Sequence, residues 1–167
     1  MEKDIKKPDY DNSLLSVTTS LLKYYGISSP HASLPELDNI LAAKAYKNIV
    51  FMVLDGFGSY VMDTHLAKED FLQRHKIRDI SSVYPCTTTA ATTTMHSGLS
   101  PLEHGWIAWA CDFKETDECL ELFSGKTFHT KKAPAHPVVP AKILSYETIL
   151  QKIKNNPKRA NSFGVVD

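Results

Sequence analysis

NIVFMVLDG, residues 48–56, is the stretch on which the fold turns. Six apolar residues, Ile49 through Leu54, follow one another without a charge, and Ile49, Val50 and Val53 are β-branched. An unbroken apolar run of this length and composition fits a strand buried on both faces, as in the middle of a parallel sheet. It stops at Asp55-Gly56, a pair that favours a turn.

Working outward, the chain alternates between strand and helix signals. Upstream, Asn12 or Ser13 can cap a helix carrying Leu14, Leu15, Val17, Leu21, Leu22 and Tyr25, with Gly26 as its stop. Pro35 suits the first turn of a short helix holding Leu37, Ile40 and Leu41. Downstream, helices are expected near residues 60–66 and 69–74, and a second strand over residues 79–84, DISSVY, halted by Pro85. Residues 106–130 alternate weakly and suit a small hairpin or an excursion, and the proline-rich APAHPVVP reads as a loop. Ser145 can cap a helix with Ile149, Leu150 and Ile153, ended by Asn156-Pro157. The closing SFGVVD reads as another strand.

This alternation predicts an α/β fold with a mainly parallel sheet flanked by helices. Such a sheet needs cover on both faces. A chain that ends on a predicted strand is therefore expected to be the front part of a larger domain. Within residues 1–167 the reading places a helical lead-in (1–47), a core (48–105), a loop or insertion region (106–142) and a closing helix plus strand (143–167).

Composition narrows the classes of function. The 167 residues are 43% hydrophobic and 23% charged, an ordinary balance for a globular domain. Net charge is zero, which gives no electrostatic case for a nucleic-acid or anionic-membrane partner. No apolar run reaches membrane-spanning length, and MEKDIKKPDY has no signal-peptide core. Cys86, Cys111 and Cys119 are odd in number and lack a C-x-x-C spacing, so reduced thiols and a cytoplasmic location are expected.

The chemistry-bearing stretch is PCTTTAATTTMHSGLSPLEHG, residues 85–105. Its seven hydroxyl residues between Thr87 and Ser97 are poor helix formers, although the segment after Pro85 is predicted to open a helix over residues 88–97. A helix amino end presents free N–H groups and a positive dipole end, both of which favour phosphate. A threonine hydroxyl there can attack phosphorus once it is activated. The competing reading is that these threonines cap and pack the helix through bonds to their own backbone. Asp55, at the end of a predicted strand, stands where α/β sheets place ligands.

Together, VLDG at residues 53–56 and the segment at 85–105 resemble the type I phosphodiesterase/nucleotide pyrophosphatase family of the alkaline phosphatase superfamily. That family shows an apolar strand ending in an Asp-Gly metal site, a Pro-x-x-Thr nucleophile, and a small-Gly-Leu-x-Pro-x-x-His-Gly motif. Here these correspond to Asp55, to Pro85 with Thr88, and to Ser97-Gly98-Leu99-Ser100-Pro101 through His104-Gly105. Thr88 and Gly98 stand ten residues apart, the family spacing. The likeness covers residues 49–105 and is loose elsewhere.

The resemblance implies an alkaline-phosphatase-like fold and a metal-dependent hydrolase of phosphate esters. Two divalent ions of the zinc type would sit at the strand ends, with Asp55 and Thr88 as metal ligands. Thr88 would act as catalytic nucleophile through a phospho-threonine intermediate on a small-molecule phosphate ester or nucleotide. His104 matches the motif and is expected to be structural rather than a ligand. Two departures stand out. Ala91 occupies a position where some relatives carry Asn, and the Asp-His pair that supplies further ligands is absent. Zinc takes about four ligands. Asp55 and Thr88 therefore amount to half an active site, and the second reading is a truncated, catalytically silent binding or interaction domain.

Other motifs fail on inspection. Ser124-Gly125-Lys126-Thr127 lacks the earlier glycine of a phosphate loop, because Leu120 stands there. Gly56-Phe57-Gly58 has Val61 in place of a third glycine. Cys86 does not begin a sulfatase-type Cys-x-Pro-x-Arg, since Thr88 and Ala90 hold the last two places. His31, His75, His96, His129 and His136 read as surface residues, and Asp63-Thr64-His65 as a solvated helix face. The resemblance further implies that substrate selectivity lies in insertions and loops, for which residues 106–142 are the candidate.

Overall fold

A computed structural model of the chain describes residues 7–135, 140–156 and 164. After a short 3-10 turn at Tyr10–Asn12 come helices α1 (Leu14–Tyr24), α2 (Pro35–Ala42), α3 (Ser59–His65), α4 (Phe71–Arg74), α5 (Thr88–Ser97) and α6 (Pro101–His104). Strands β1 (Ala110–Phe113) and β2 (Glu118–Glu121) follow, then α7 (Pro140–Ile143) and α8 (Ile149–Asn155).

Local chemistry explains the helix ends. Ser13 caps α1: its hydroxyl accepts the Leu15 N–H at 3.2 Å, while Ser16 Oγ accepts the Ser13 N–H at 3.2 Å. Pro35 opens α2, where a missing N–H costs nothing. Thr148, not Ser145, caps α8, and its hydroxyl accepts the Gln151 N–H at 3.2 Å while Gln151 Oε1 accepts the Thr148 N–H at 2.8 Å. The T-x-x-Q spacing makes this reciprocal pair available to Thr148.

The expected mainly parallel sheet is not formed, and the fold class is corrected accordingly. Among the described residues the one sheet is the antiparallel β1–β2 hairpin, in which Ala110 pairs with Glu121 and Phe113 with Glu118. Residues 48–54 belong to no strand, and their side chains face outward, Val50 80% and Met52 72% exposed. Residues 79–84 contribute a single bridge, Ser81 to Ser13. The predicted closing strand lies outside the described residues except for Gly164. The physical reason is that apolar, β-branched composition is permissive. A strand also needs a neighbour to take its N–H and C=O groups, and no described residue supplies one to 48–54.

Two apolar groups result. Helix α1 packs against α2, α5 and α8, and α5 packs against α6 and α8. Leu15, Leu22, Val83, Ala90, Met95, Ile149 and Ile153 are buried in that helical part. Trp106, Phe113, Leu120 and Leu122 form a second cluster, covered by Ile143, Leu144 and Tyr146. Residues 104–106 join the two.

Candidate functional site

Helix α5 spans the predicted residues, and its amino end is open. Thr87 occupies the cap position in extended backbone, but its side chain makes no cap bond. Ala91 is the first residue whose N–H finds a helical carbonyl, that of Thr87 at 3.0 Å. The N–H groups of Thr88, Thr89 and Ala90 bond to no backbone carbonyl among the described residues. Thr88 is half-buried, and its hydroxyl has no hydrogen-bond partner among them; its carbonyl accepts the Thr92 hydroxyl at 2.8 Å.

The other threonines divide by face. Thr89, Thr93 and Thr94 are buried against neighbouring elements. Thr92 and Ser97 return their hydroxyls to carbonyls one turn back, at 2.8 and 2.7 Å. These serve packing, as short side chains that let α1 and α5 approach. The Thr89 hydroxyl is buried without a partner.

The rest of the motif forms a helical corner. Gly98 ends α5 in left-handed backbone, φ 69°, and its N–H reaches Thr94 O at 2.8 Å. Lys152 of α8 donates to the Ser97 carbonyl at 2.7 Å. Ser100 and Glu103 form a reciprocal box around Pro101, with the Ser100 N–H and hydroxyl donating to Glu103 Oε2 at 2.7 and 2.6 Å. The S-x-x-E spacing in the sequence is the signal that finds this box. Glu103 Oε2 also meets His31 Nε2 at 2.8 Å, so His31 pins the connector after α1 to α6. Partial burial pushes the Glu103 carboxyl up, but the Ser100 bonds and His31 outweigh it and hold it below its usual range.

His104 is 4% exposed and acts inside this corner. Its Nδ1 accepts the Trp106 N–H at 2.9 Å, and its Nε2 meets Thr94 Oγ1 at 3.1 Å. The Ala90 carbonyl near the ring favours its charged form. Because a backbone N–H can only donate, Nδ1 is bare and Nε2 carries the proton. Burial is the main cause that lowers this imidazole to about 4, against the opposing pull of the Ala90 carbonyl and the Glu103 charge. His104 is therefore a neutral structural residue.

Asp55 sits in a turn, exposed, with Oδ1 accepting the N–H of its own neighbour Gly56 at 3.0 Å. No hydrogen bond joins Asp55 to Thr88 among the described residues. The same residues hold no group of three or more His, Cys, Asp or Glu side chains able to hold a metal. Asp55 and Thr88 by themselves fall short of the ligand number zinc takes, so the donor set described does not fit a resident zinc pair. Of the remaining histidines, His75 bonds the Phe71 carbonyl at 2.7 Å and His136 lies outside the described residues. Asp63 is not simply solvated: it accepts from Gln73 at 3.2 Å and lies 3.6 Å from Lys76. The three cysteines are free thiols. No described helix is long and apolar enough to cross a membrane.

No family model matches the chain, and neither a curated protein nor a solved structure does.

Proposed function

We propose that the chain carries the nucleophile end of a phosphate-ester hydrolase, with Thr88 as the attacking residue. The observation that supports this reading is the open first turn of α5. Three N–H groups without backbone partners stand beside a hydroxyl that no described group engages. Such donors favour a phosphate group, and the helix dipole adds to them. In the reaction the Thr88 Oγ–P bond forms as the ester P–O bond breaks, and the alcohol leaves carrying the proton. Water then cleaves the Thr88–phosphorus bond and restores the hydroxyl. The substrate class is a small phosphate ester or nucleotide. Dependence on a divalent cation is part of the proposal, although the described residues do not complete a site for one.

A second reading is binding without turnover. It is favoured by one observation: the Thr88 hydroxyl bonds to no base among the described residues. One experiment separates the two. Hydrolysis of a nitrophenyl phosphodiester is followed with and without added zinc, beside titration with inorganic phosphate. Zinc-dependent hydrolysis that collapses in Thr88→Ala supports the first reading. Full activity in Thr88→Ala overturns it. Phosphate binding without hydrolysis supports the second, and neither activity nor binding sinks both.

A further inference from the structure

His104 stands at the joint between the helical part and the hairpin part, and three elements meet at its ring. From α5 come the Thr94 hydroxyl at 3.1 Å and the Ala90 carbonyl. From the segment leading to β1 comes the Trp106 N–H at 2.9 Å. On its own helix the neighbouring charge is Glu103, which is engaged by Ser100 and His31. Lys152 of α8 is bonded to Ser97 O. Tyr146 packs edge-on against Trp106 at 6.0 Å between centroids, and burial pushes its phenol up, so it stays neutral.

We propose that His104 is an acid-sensitive latch: the neutral ring ties Trp106 to the threonine helix, and the protonated ring opens that joint. The reason is a count of donors. Neutral His104 offers one acceptor, Nδ1, and the Trp106 N–H uses it. A proton added at Nδ1 faces that N–H donor to donor, so the two groups must separate. Proton transfer cannot relieve the conflict, because the peptide N–H has no alternative protonation state. Burial works in the same direction, since a charged ring seeks water. Trp106 itself stays anchored on its far side, where its indole N–H donates to the Leu144 carbonyl at 2.9 Å. The opening is therefore local: the hairpin cluster keeps its own core and shifts away from α5 and α6.

The test uses tryptophan emission of the full chain. The protein has two tryptophans, so Trp109→Phe leaves Trp106 as sole reporter. Lowering the pH from 7.5 toward 4 is expected to shift its emission to the red while helical circular dichroism is retained. Adding His104→Asn, whose side-chain oxygen can accept the Trp106 N–H but does not titrate, is expected to abolish the shift. Three results overturn the latch. The emission stays flat to pH 4, it shifts equally in the Asn variant, or it moves only together with loss of helix. Ring nitrogen NMR of the unaltered chain serves should the Asn variant not fold. A bare Nδ1 at pH 7.5 that gains its proton as Trp106 amide exchange accelerates supports the latch. A protonated Nδ1 at pH 7.5 overturns it.

Discussion

A Cβ placed on Gly98 would lie 3.0 Å from Leu22 Cδ1, with Thr18 and Ile149 also in contact at 3.4 and 3.5 Å. This one backbone position is where α1, α5 and α8 converge. Its φ of 69° is also one that a side chain resists. Gly98→Ala is therefore expected to lower stability by about 1–3 kcal/mol, combining backbone strain with overpacking. The matched control is Gly58→Ala, where φ is −86° and nothing lies within 4 Å. Urea denaturation of the two variants checks the prediction, which fails if both lose the same amount.

Thr88 and Thr94 are expected to part company in the same assay. The Thr88 hydroxyl makes no bond among the described residues, so Thr88→Ala is expected to leave stability within about 0.5 kcal/mol. Any phosphate binding should weaken. Thr94→Val strips a partner from the buried His104 ring, which is expected to cost about 1–3 kcal/mol. A Thr88→Ala protein that unfolds easily would return Thr88 to the packing class.

Thr89 offers a prediction of opposite sign. Its side chain is fully buried and its hydroxyl has no partner. Thr89→Val replaces that hydroxyl with a methyl of similar size, at nearly unchanged helix propensity. Removing an unsatisfied buried polar group is expected to raise stability by about 1 kcal/mol. A higher thermal midpoint confirms it, and a drop shows that the hydroxyl has a partner in solution.

The pH dependence of folding follows from His104. Its folded value of about 4 lies below its ordinary 6.5, so the unfolded chain binds the extra proton first. Stability from this group is complete above pH 6.5 and is lost as pH falls from 6.5 through 4. The full effect is about 3 kcal/mol. Denaturation at a series of pH values should show that slope, and His104→Asn should remove it.

Asp38 titrates lower. Burial pushes its carboxyl up, but bonds from Lys23 and Ser33, with Ser20 behind them, outweigh that and hold it below 3.8. The Lys23 and Ser33 contacts are both 2.6 Å. This contribution is present above pH 3.8 and is lost as the pH falls below it. Asp38→Asn is expected to weaken the α1–α2 contact and flatten the lowest part of the acid limb.

Local signals marked α1 to α5 and α8, whereas α6 has no helix prediction and α7 starts on the last residue of the stretch read as a loop. Ser13 before Leu14, Pro35 opening α2, and Pro85 before the threonine run state where helices begin, because capping is chemistry between residues close in sequence. The turn at Asp55-Gly56 was legible for the same reason, as was the weakly alternating hairpin after residue 106. Thr148 displaced Ser145 as the α8 cap because a reciprocal partner three residues on, Gln151, completes the box.

Pairing was settled by packing between distant parts of the chain. Residues 48–54 carry the composition of a buried strand, yet they lie outward and unpaired among the described residues. A strand is made by its neighbours, and no periodicity contains them. The same holds for the site. Spacing singled out Thr88 and Asp55, but whether two side chains meet depends on how distant elements pack. Thr88 ended on an open helix end and Asp55 on an exposed turn. Residue order alone marked α1 to α5 and α8, and the threonine that begins α5, but neither α6 nor α7. The packing of α1, α5 and α8 around Gly98, and of His104 against Trp106, turned the rest of that motif into a corner.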